Sequence, residues 1–449
     1  MKKKILVVGG GGREHAIIWK LSQSPNVGEI FCAPGNGGIA GIATCVPIKA
    51  TDIPAMVQFA TEQAIDLVVV APDDPLAAGM VDALEAAGVR AFGPRKNAAI
   101  LEASKQFSKD LMLKYGIKSA KYEVFEDSGQ AIEYLATASF PIVVKADGLA
   151  LGKGVIIAMN FEEASEAVKN MIDDLQFGDS GSKVVIEEFM VGPEVSILAF
   201  TDGKTVVPMV SSQDHKRAYD DDAGPNTGGM GTFSPSRLYD DALAAQCMKE
   251  IYLPTIAAMN QEGRPFKGVI YFGLMLTAEG PKVLEYNARF GDPETQVVLP
   301  RLESDLYEIF EAIIDSRLED IEIKWSDTAA VCVVMASGGY PGKYTTGYPI
   351  SGLVAAEEDN SVVVFHAGTK IEIDTGCSGG SCGRCCGNDG ADEDSVPVAG
   401  AQLLTAGGRV LGVTAIGSDI DDARDKAYAA VSKIHFDHAH YRKDIGIKR

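Results

Sequence analysis

The first hundred residues alternate short apolar segments with longer amphipathic ones, and this pattern limits the possible folds more than any other. Apolar runs such as Lys4–Gly9 and Asp66–Pro72 have the length of strands, and the segments between them are long enough for helices. Strands and helices that alternate in this way form a parallel sheet covered by helices on both faces. The sequence therefore predicts an N-terminal parallel α/β domain, which we place at residues 1–103.

The rest of the chain changes its pattern twice. A chain of 449 residues is too long for one hydrophobic core and predicts about three domains. The second domain is expected at residues 104–325, and a single helix over residues 97–115 leads into it. Within this domain, strands dominate about residues 120–192. Residues 326–449 combine three apolar strands with a last helix, which is typical of a small α+β domain. The fold class is thus multidomain, α/β and α+β.

Charge and hydropathy exclude several classes of function. The chain has 41 basic and 62 acidic residues and a net charge of -21, so we expect neither a nucleic-acid nor a membrane-surface partner. Its apolar runs are too short to cross a bilayer, and the first of them reaches glycine too soon for a signal peptide. We therefore expect a cytoplasmic protein. Its oligomeric state is left open, and a monomer is compatible with the sequence.

Two glycine-rich loops follow the first two predicted strands. Main-chain N–H groups at such a strand-to-helix turn can bind a phosphate, with Arg13 as a charged donor. A dinucleotide fingerprint is not met, because its third small position falls on Glu14 or His15. The alternative is a tight turn that binds nothing. The candidate phosphate-binding residues are Gly10, Gly11, Gly12, Arg13, Glu14, Asn36 and Gly37.

A third glycine-rich loop carries lysine. Lys145 ends a predicted strand, and Lys153 lies in the loop Gly152–Gly154. The spacing differs from a P-loop, and no helix clearly follows, so we expect a lid of β-strands that closes over polyphosphate. Lysines that are merely solvated are the alternative.

Acidic and amide side chains end two other predicted strands. Glu285 and Asn287 alternate with Leu284 and Tyr286, so the two polar side chains are expected on one face and the apolar pair on the other. After the strand that ends near Glu187, main-chain groups can read an adenine edge and a carboxylate can bind ribose hydroxyls. A solvated acidic face is the alternative. The candidates there are Glu187, Glu188, Phe189 and Glu194.

The stretch from Gln213 to Gly231 is the most specific one in the chain, because it concentrates charged, amide and glycine residues. It has too little hydrophobic periodicity for a regular element, and long ordered loops of this polarity are usually functional. A disordered acidic loop is the alternative. We give His215 no proton-transfer role, since such histidines commonly form local hydrogen bonds. The candidates are Asp214, His215, Lys216, Asn226, Thr227, Gly228, Gly229 and Met230.

Taken together, these stretches resemble the phosphoribosylamine–glycine ligase (glycinamide ribonucleotide synthetase) family of the ATP-grasp superfamily. The resemblance covers almost the whole chain in order. It rests on VVGGGGREHA, GPRKNAAILEASKQFSK, VVKADGLALGKGV, QDHKRAYDDDAGPNTGGMGTFSP, LEYNARFGDPETQ, VFHAGTK, GGRVLGVTA and YRKDIG.

The resemblance implies an ATP-grasp fold over residues 104–325 and a defined reaction. The family joins glycine to 5-phosphoribosylamine with ATP, through a glycyl acyl-phosphate, in de novo purine synthesis. By resemblance, Lys105 and Lys145 grip the phosphates, and Glu285 and Asn287 hold Mg²⁺ or Mn²⁺. Arg289 would hold the reacting carboxylate, and the turn with Gly291, Asp292 and Glu294 would line the substrate pockets.

Two features depart from the family pattern. Asp73 stands where a glutamate is usual, at the ligand edge of the N-terminal domain. A cysteine-rich insertion at 375–395, with Cys377, Cys382, Cys385 and Cys386, is either a flexible insertion or a metal or redox site. Two rival interpretations are a nucleotide-dependent dehydrogenase, which the missing fingerprint disfavours, and a non-catalytic nucleotide-binding relative, which would have lost a lysine or a metal ligand.

Overall fold

The N-terminal region is built on five parallel strands, as predicted. The computed structural model describes residues 2–150, 154–176, 178–373 and 401–447. Alternate residues of the first strand, Ile5 and Val7 against Leu6 and Val8, enter two separate hydrophobic cores, so both faces of the sheet are buried. The strand order is Thr44–Cys45, Val27–Pro34, Lys3–Gly9, Leu67–Val70 and Ala91–Phe92.

The predicted helix over residues 97–115 is two helices. The first, Lys96–Ala103, ends at Ser104, which has extended backbone angles and caps the second, Lys105–Lys114. The Ser104 hydroxyl accepts a hydrogen bond from the Phe107 N–H at 3.0 Å. Serine favours such a cap because its side chain satisfies an N–H that the helix leaves unpaired. Lys105 therefore begins a helix instead of lying within one. The other N-terminal helices are Gly12–Leu21, Ile53–Glu62, Asp73–Ala78 and Met80–Ala86.

The middle of the chain forms two antiparallel sheets of four strands. The first has the order Tyr122–Phe125, Val184–Glu188, Ile142–Ala146 and Val155–Ala158. Its core packs against the helices Ser128–Leu135 and Phe161–Ile172. The second has the order Val206–Pro208, Glu194–Thr201, Gly268–Thr277 and Gly280–Asn287. Its helices are Asp241–Cys247 and Leu253–Gln261, and Thr295–Val298 and Leu306–Ile314 follow it in sequence.

The last region contains an antiparallel sheet that also takes strands from the polar loop. The order is Gln213–Asp214, Gly231–Ser234, Ala329–Ser337, Arg409–Gly417 and Val362–His366, and Ala439–His440 pairs with the third of these. The helix Ile420–Val431 packs on this sheet, and Thr369–Ile373 pairs with Ala401–Thr405. A short helix, Leu353–Ala356, completes the region. The four cysteines of the predicted insertion lie outside the described residues, and no described helix is long and apolar enough to span a membrane.

Two buried histidines join the N-terminal and C-terminal regions. The Nδ1 atom of His15 accepts a hydrogen bond from the His366 N–H at 2.8 Å, and the two rings lie 5.5 Å apart. A Cβ on Gly38 would lie 2.2 Å from the His366 ring, so the second glycine loop packs directly against this pair. Burial lowers the pKa of His15 to about 3 and that of His366 to about 4.

Acid should therefore weaken this interface. As the pH falls below 6.5, the unfolded chain binds protons at these two histidines and the folded chain does not. The free energy of unfolding therefore has its full value above pH 6.5 and decreases as the pH falls toward 4. Each histidine lowers the free energy of unfolding by about 2 kcal/mol at pH 5. We expect the unfolding temperature to fall between pH 7 and pH 5, and to fall less in a His15→Asn, His366→Asn double variant. Equal falls in calorimetry would contradict the assignment.

Candidate active site

One large cavity of about 970 Å³ lies where the two central sheets meet the N-terminal and C-terminal regions. Most of the predicted site residues line it. They are Arg13, Lys105, Lys145, Gly154, Glu187, Glu188, Phe189, Glu194, Asp214, Lys216, Asn226, Thr227, Gly228, Glu285, Asn287, Arg289, Asp292 and Glu294. The structure thus brings together residues from six sequence stretches that are far apart in the chain.

Of the predicted residues in the N-terminal glycine loops, Arg13 lines the cavity and the glycines do not. The Glu14 carboxylate accepts the Gly11 N–H at 2.6 Å and binds Arg13 at 2.7 Å, so it fills the helix N-terminus where an anion was expected. Asn36 donates to the carbonyls of Gly10 and His366, and its amide oxygen accepts two main-chain N–H groups. These residues shape the turn and the domain contact. The others absent from the cavity lining are Gly10, Gly12, Gly37, His215, Gly229, Met230 and Gly291.

Part of the predicted lid is described. The strands Ile142–Ala146 and Val155–Ala158 pair in antiparallel register, as expected for a lid of β-strands, and Gly154 lines the cavity. Gly152 and Lys153, which we placed at the tip, lie outside the described residues.

Glu187 is paired with two lysines inside the protein. Its carboxylate lies 2.9 Å from the Lys145 ammonium and 2.9 Å from that of Lys109, and all three side chains are nearly inaccessible. Of the candidate carboxylates for ribose hydroxyls, Glu187 is the least suited, because it already neutralises two cations. Burial lowers the pKa of Lys109 to about 8 even with Glu187 beside it.

Lys105 approaches the same space from another element. Its ammonium donates to the Gly148 carbonyl at 2.9 Å, and the Lys105 N–H donates to the Asp147 carbonyl at 3.0 Å. Burial and then the nearby Lys145 ammonium lower the pKa of Lys105. Two lysines on different elements thus face one compartment, an arrangement that can hold a polyphosphate between them.

One end of the cavity is apolar. Apolar linings of this kind are typical of pockets that bind small heterocycles. A bulge opposite Gly273 makes Leu284 an extra residue in its strand, so Leu284 packs with Met190 and Met275 while Tyr286 enters another core. Leu284 and Tyr286 therefore do not share the environment that strict alternation predicts. The apolar wall consists of Leu101, Val143, Val155, Ile157, Phe189, Met190, Met275 and Leu284.

Glu285 and Asn287 lie between this apolar end and a polar end. Glu285 is 36% exposed to the cavity and lies 3.5 Å from the Lys216 ammonium, which also binds Glu194 at 2.9 Å. Withdrawal from bulk water would raise the pKa of Glu285, but the cations of Lys216, Lys145 and Lys105 lower it below its usual range. Glu285 is thus an ionised carboxylate that points into the cavity, with an amide oxygen two residues on.

These donors fit a hard divalent cation only together with a ligand. A carboxylate and an amide oxygen are donors that Mg²⁺ and Mn²⁺ accept. Among the described residues no group of three or more His, Cys, Asp or Glu could hold a metal. A cation at Glu285 and Asn287 would therefore take further oxygens from a bound phosphate, which is usual for magnesium on nucleotides.

Arg289 is held by an acidic residue from the first region. Its Nη2 lies 2.8 Å from a carboxylate oxygen of Glu102, whose other oxygen accepts the Ala288 N–H at 2.7 Å. Burial raises the pKa of Glu102 to about 7. This pairing fixes the guanidinium at the cavity wall, where it can bind a carboxylate or phosphoryl group.

The predicted substrate loop contains regular structure. Arg217–Tyr219 pairs with Ala223–Asn226 as a short hairpin, although the sequence predicted no regular element there. His215 is fully buried and its ring packs 5.9 Å from that of Phe233. Burial and the neighbouring Asp214 raise the pKa of Glu294 to about 7. Acidic groups therefore surround Lys216 and Arg289 at this polar end.

Several polar cavity residues escaped the sequence reasoning, among them Glu102, Lys109, Tyr340 and Arg409. Lys109 follows Lys105 by one turn of the same helix, so a helical projection from Lys105 could have found it, whereas Glu102 lies in the preceding helix, across the break at Ser104. Tyr340 and Arg409 come from the C-terminal region; Arg409 lies in GGRVLGVTA, a stretch that carries the resemblance but was given no role. Asp73 also lines the cavity, at the edge where we placed it.

Models of the phosphoribosylglycinamide synthetase N, ATP-grasp (A) and C domains match residues 3–102, 103–295 and 330–448. The chain belongs to the phosphoribosylglycinamide synthetase family. Phosphoribosylamine–glycine ligases of Halalkalibacterium halodurans and Escherichia coli are 47% and 46% identical to it; the matches cover 99% of this chain and 96% and 98% of theirs. A trifunctional purine biosynthetic protein of Gallus gallus is 48% identical, and the match covers 100% of this chain and 42% of that protein.

Solved structures agree with this family. A phosphoribosylamine–glycine ligase from Thermotoga maritima is 32% identical with a TM-score of 0.78, and the match covers 98% of this chain and 99% of that one. A biotin carboxylase from Campylobacter jejuni, solved as a complex with β-γ-ATP, is 13% identical with a TM-score of 0.69, and the match covers 98% of this chain and 93% of that one. The latter likeness shows the shared ATP-grasp fold alone.

Proposed function

We propose that this phosphoribosylglycinamide synthetase family member joins glycine to 5-phosphoribosylamine at the expense of ATP. The products are glycinamide ribonucleotide, ADP and phosphate, and the reaction belongs to de novo purine synthesis. The observation that carries the proposal is one cavity with two lysines and an ionised carboxylate at its centre, an apolar slot at one end and Arg289 with the polar loop at the other.

The chemistry explains why such a cavity is needed. A carboxylate is a poor electrophile, because an amine cannot displace oxide from it near neutral pH. Transfer of the γ-phosphoryl group to a glycine oxygen forms a glycyl acyl-phosphate, and the ribosylamine nitrogen then attacks its carbonyl carbon. The nitrogen loses one proton, the C–O bond breaks and phosphate leaves. The protein supplies chiefly position and charge neutralisation.

Different parts of the cavity would bind different substrates. The apolar wall from Leu101 to Leu284 would take the adenine, and Lys105 and Lys145 would hold the phosphates from two sides. Arg289, fixed by Glu102, would orient the glycine carboxylate toward the γ-phosphoryl group. The polar loop with Asn226 and Thr227, and the turn with Asp292, would bind the ribosylamine. Closure of the strand lid would exclude water, since an acyl-phosphate hydrolyses readily.

Glu285 and Asn287 would hold Mg²⁺ or Mn²⁺ on the nucleotide phosphates. When bound, this ion neutralises charge that develops on the transferred phosphoryl group. Lys216, which binds Glu285 and Glu194, keeps the carboxylate ionised and oriented.

The proposal includes a cytoplasmic location and small-molecule partners only: ATP, glycine and 5-phosphoribosylamine. A monomer would suffice, since all these residues come from one chain.

An ADP-release assay with every combination of glycine, phosphoribosylamine and Mg²⁺ tests the proposed function. We expect rapid ADP formation only when all three are present with ATP. ADP formation that is indifferent to glycine or to phosphoribosylamine would assign the cavity to a different ligase.

A further inference from the structure

Two side chains of the C-terminal region form hydrogen bonds with the main-chain N–H and carbonyl groups of Gly228, a residue of the cavity wall. The Tyr340 hydroxyl accepts the Gly228 N–H at 3.1 Å, and Nη1 of Arg409 donates to the Gly228 carbonyl at 2.7 Å. Gly228 follows Asn226 and Thr227 in the wall of the polar end. The main chain of this wall is therefore fixed from outside its own loop.

The same guanidinium reaches a second wall segment. Nη1 of Arg409 also donates to the Asp292 carbonyl at 2.7 Å and lies 3.4 Å from the Asp292 carboxylate. Asp292 belongs to the turn that begins at Arg289. One side chain thus sets the distance between the two segments that close the polar end of the cavity.

Glycine residues allow these close approaches, because they carry no side chain. A Cβ on Gly228 would lie 3.1 Å from the guanidinium carbon of Arg409, and one on Gly408 would lie 2.4 Å from the Tyr340 ring. Gly229 has a φ of +111°, and a Cβ there would lie 2.5 Å from the Pro293 ring. Because these glycines pack tightly against Tyr340, Arg409 and Pro293, a substitution at Tyr340 or Arg409 should shift the main chain of the cavity wall.

Direct binding of the substrate phosphate by Arg409 is the competing role. Arg409 and Arg13 approach the turn Phe290–Asp292 from two regions. However, Asp292 lies close to both cations, and further acids lie close to each of them: Glu14 and Asp73 to Arg13, and Glu294 to Arg409. This surrounding acidity favours support of the main chain over capture of an anion.

We propose that Tyr340 and Arg409 are positioning residues that shape the pocket of the amino acid and phosphosugar substrates and leave the nucleotide pocket unaffected. The inference rests on the proposed function. The hydrogen bonds of both residues to the cavity wall lie at Gly228 and Asp292, so their effect should be confined to the polar end of the cavity.

Kinetics of Tyr340→Phe and Arg409→Lys test this role, with Tyr344→Phe as the control. Tyr344 is a neighbouring aromatic, 6.2 Å from the Tyr340 ring and 41% exposed. We expect the KM of glycine or phosphoribosylamine to rise about tenfold, in keeping with small misplacements in active sites. The KM of ATP and the unfolding temperature should stay within error. Arg409→Met should have a larger effect than Arg409→Lys.

Hydrogen exchange of the segment 226–230 provides a readout that is independent of activity. Exchange should quicken in the Tyr340 and Arg409 variants and stay unchanged in Tyr344→Phe. Unchanged exchange together with unchanged KM values for glycine and phosphoribosylamine would overturn the inference. An equal rise in the KM of ATP and in the KM values of these two substrates would also overturn it. A wild-type chain without ligation activity would instead overturn the proposed function, before any variant is compared.

Discussion

Glu285→Gln should lower kcat by on the order of 10³-fold or more, while the fold stays intact. The substitution keeps the shape of the side chain but removes the charge that would bind the cation on the nucleotide, and lost transition-state electrostatics of this kind carry large kinetic costs. Lys216 keeps Glu194 at 2.9 Å as a partner, so the loss leaves no isolated buried cation. ADP release at saturating Mg²⁺ measures the effect.

Glu194→Gln is the matched control for this prediction. It removes the other carboxylate on Lys216 and leaves the proposed metal ligand in place. We expect a much smaller loss of kcat than for Glu285→Gln. Near-normal turnover by Glu285→Gln, with a normal dependence on Mg²⁺, would rule out the metal role.

Lys145→Met should reduce both turnover with ATP and stability. The change removes one of the two proposed phosphate-binding cations and leaves Glu187 with Lys109 alone. Breaking a buried ion pair on one side typically costs about 3–5 kcal/mol. We expect kcat/KM for ATP to fall by about 10²- to 10³-fold and the free energy of unfolding to fall in denaturant titrations.

Lys109→Met separates the two effects. Lys109 binds the same carboxylate at the same 2.9 Å, so its loss should destabilise the protein by a similar amount. Its effect on kcat/KM for ATP should be at least tenfold smaller, an order of magnitude that one phosphate contact can account for. Equal kinetic losses in the two variants would show that Lys145 acts only through the stability of this cluster.

Local pattern was enough to predict several of the residues that line the cavity. Glu285, Asn287 and Lys145 were found because alternation along a strand and a change from apolar to charged residues are visible in a few consecutive letters. The parallel sheet followed from the alternation of strands and helices. The ATP-grasp fold and the roles of Lys105 and Arg289 came from the family resemblance.

Other features depend on contacts that no short window contains. Glycines in a phosphate loop and glycines that let two loops pack closely look alike in sequence, and only the contacts of Asn36 and Gly38 with His366 distinguish them. From the sequence alone Glu187 looks like an exposed acid, and only its tertiary contacts with Lys109 and Lys145 show that it is buried. The bulge at Leu284 depends on the partner strand, and Arg409 reaches the cavity only through tertiary folding.

The fate of the glycine carboxylate oxygen tests the central claim most directly. Glycine labelled with ¹⁸O in its carboxyl group would be converted with ATP and phosphoribosylamine, and the phosphate released would be analysed by mass spectrometry. If the reaction passes through a glycyl acyl-phosphate, each phosphate formed carries one ¹⁸O atom. Phosphate without label, formed together with the amide product, would contradict the account.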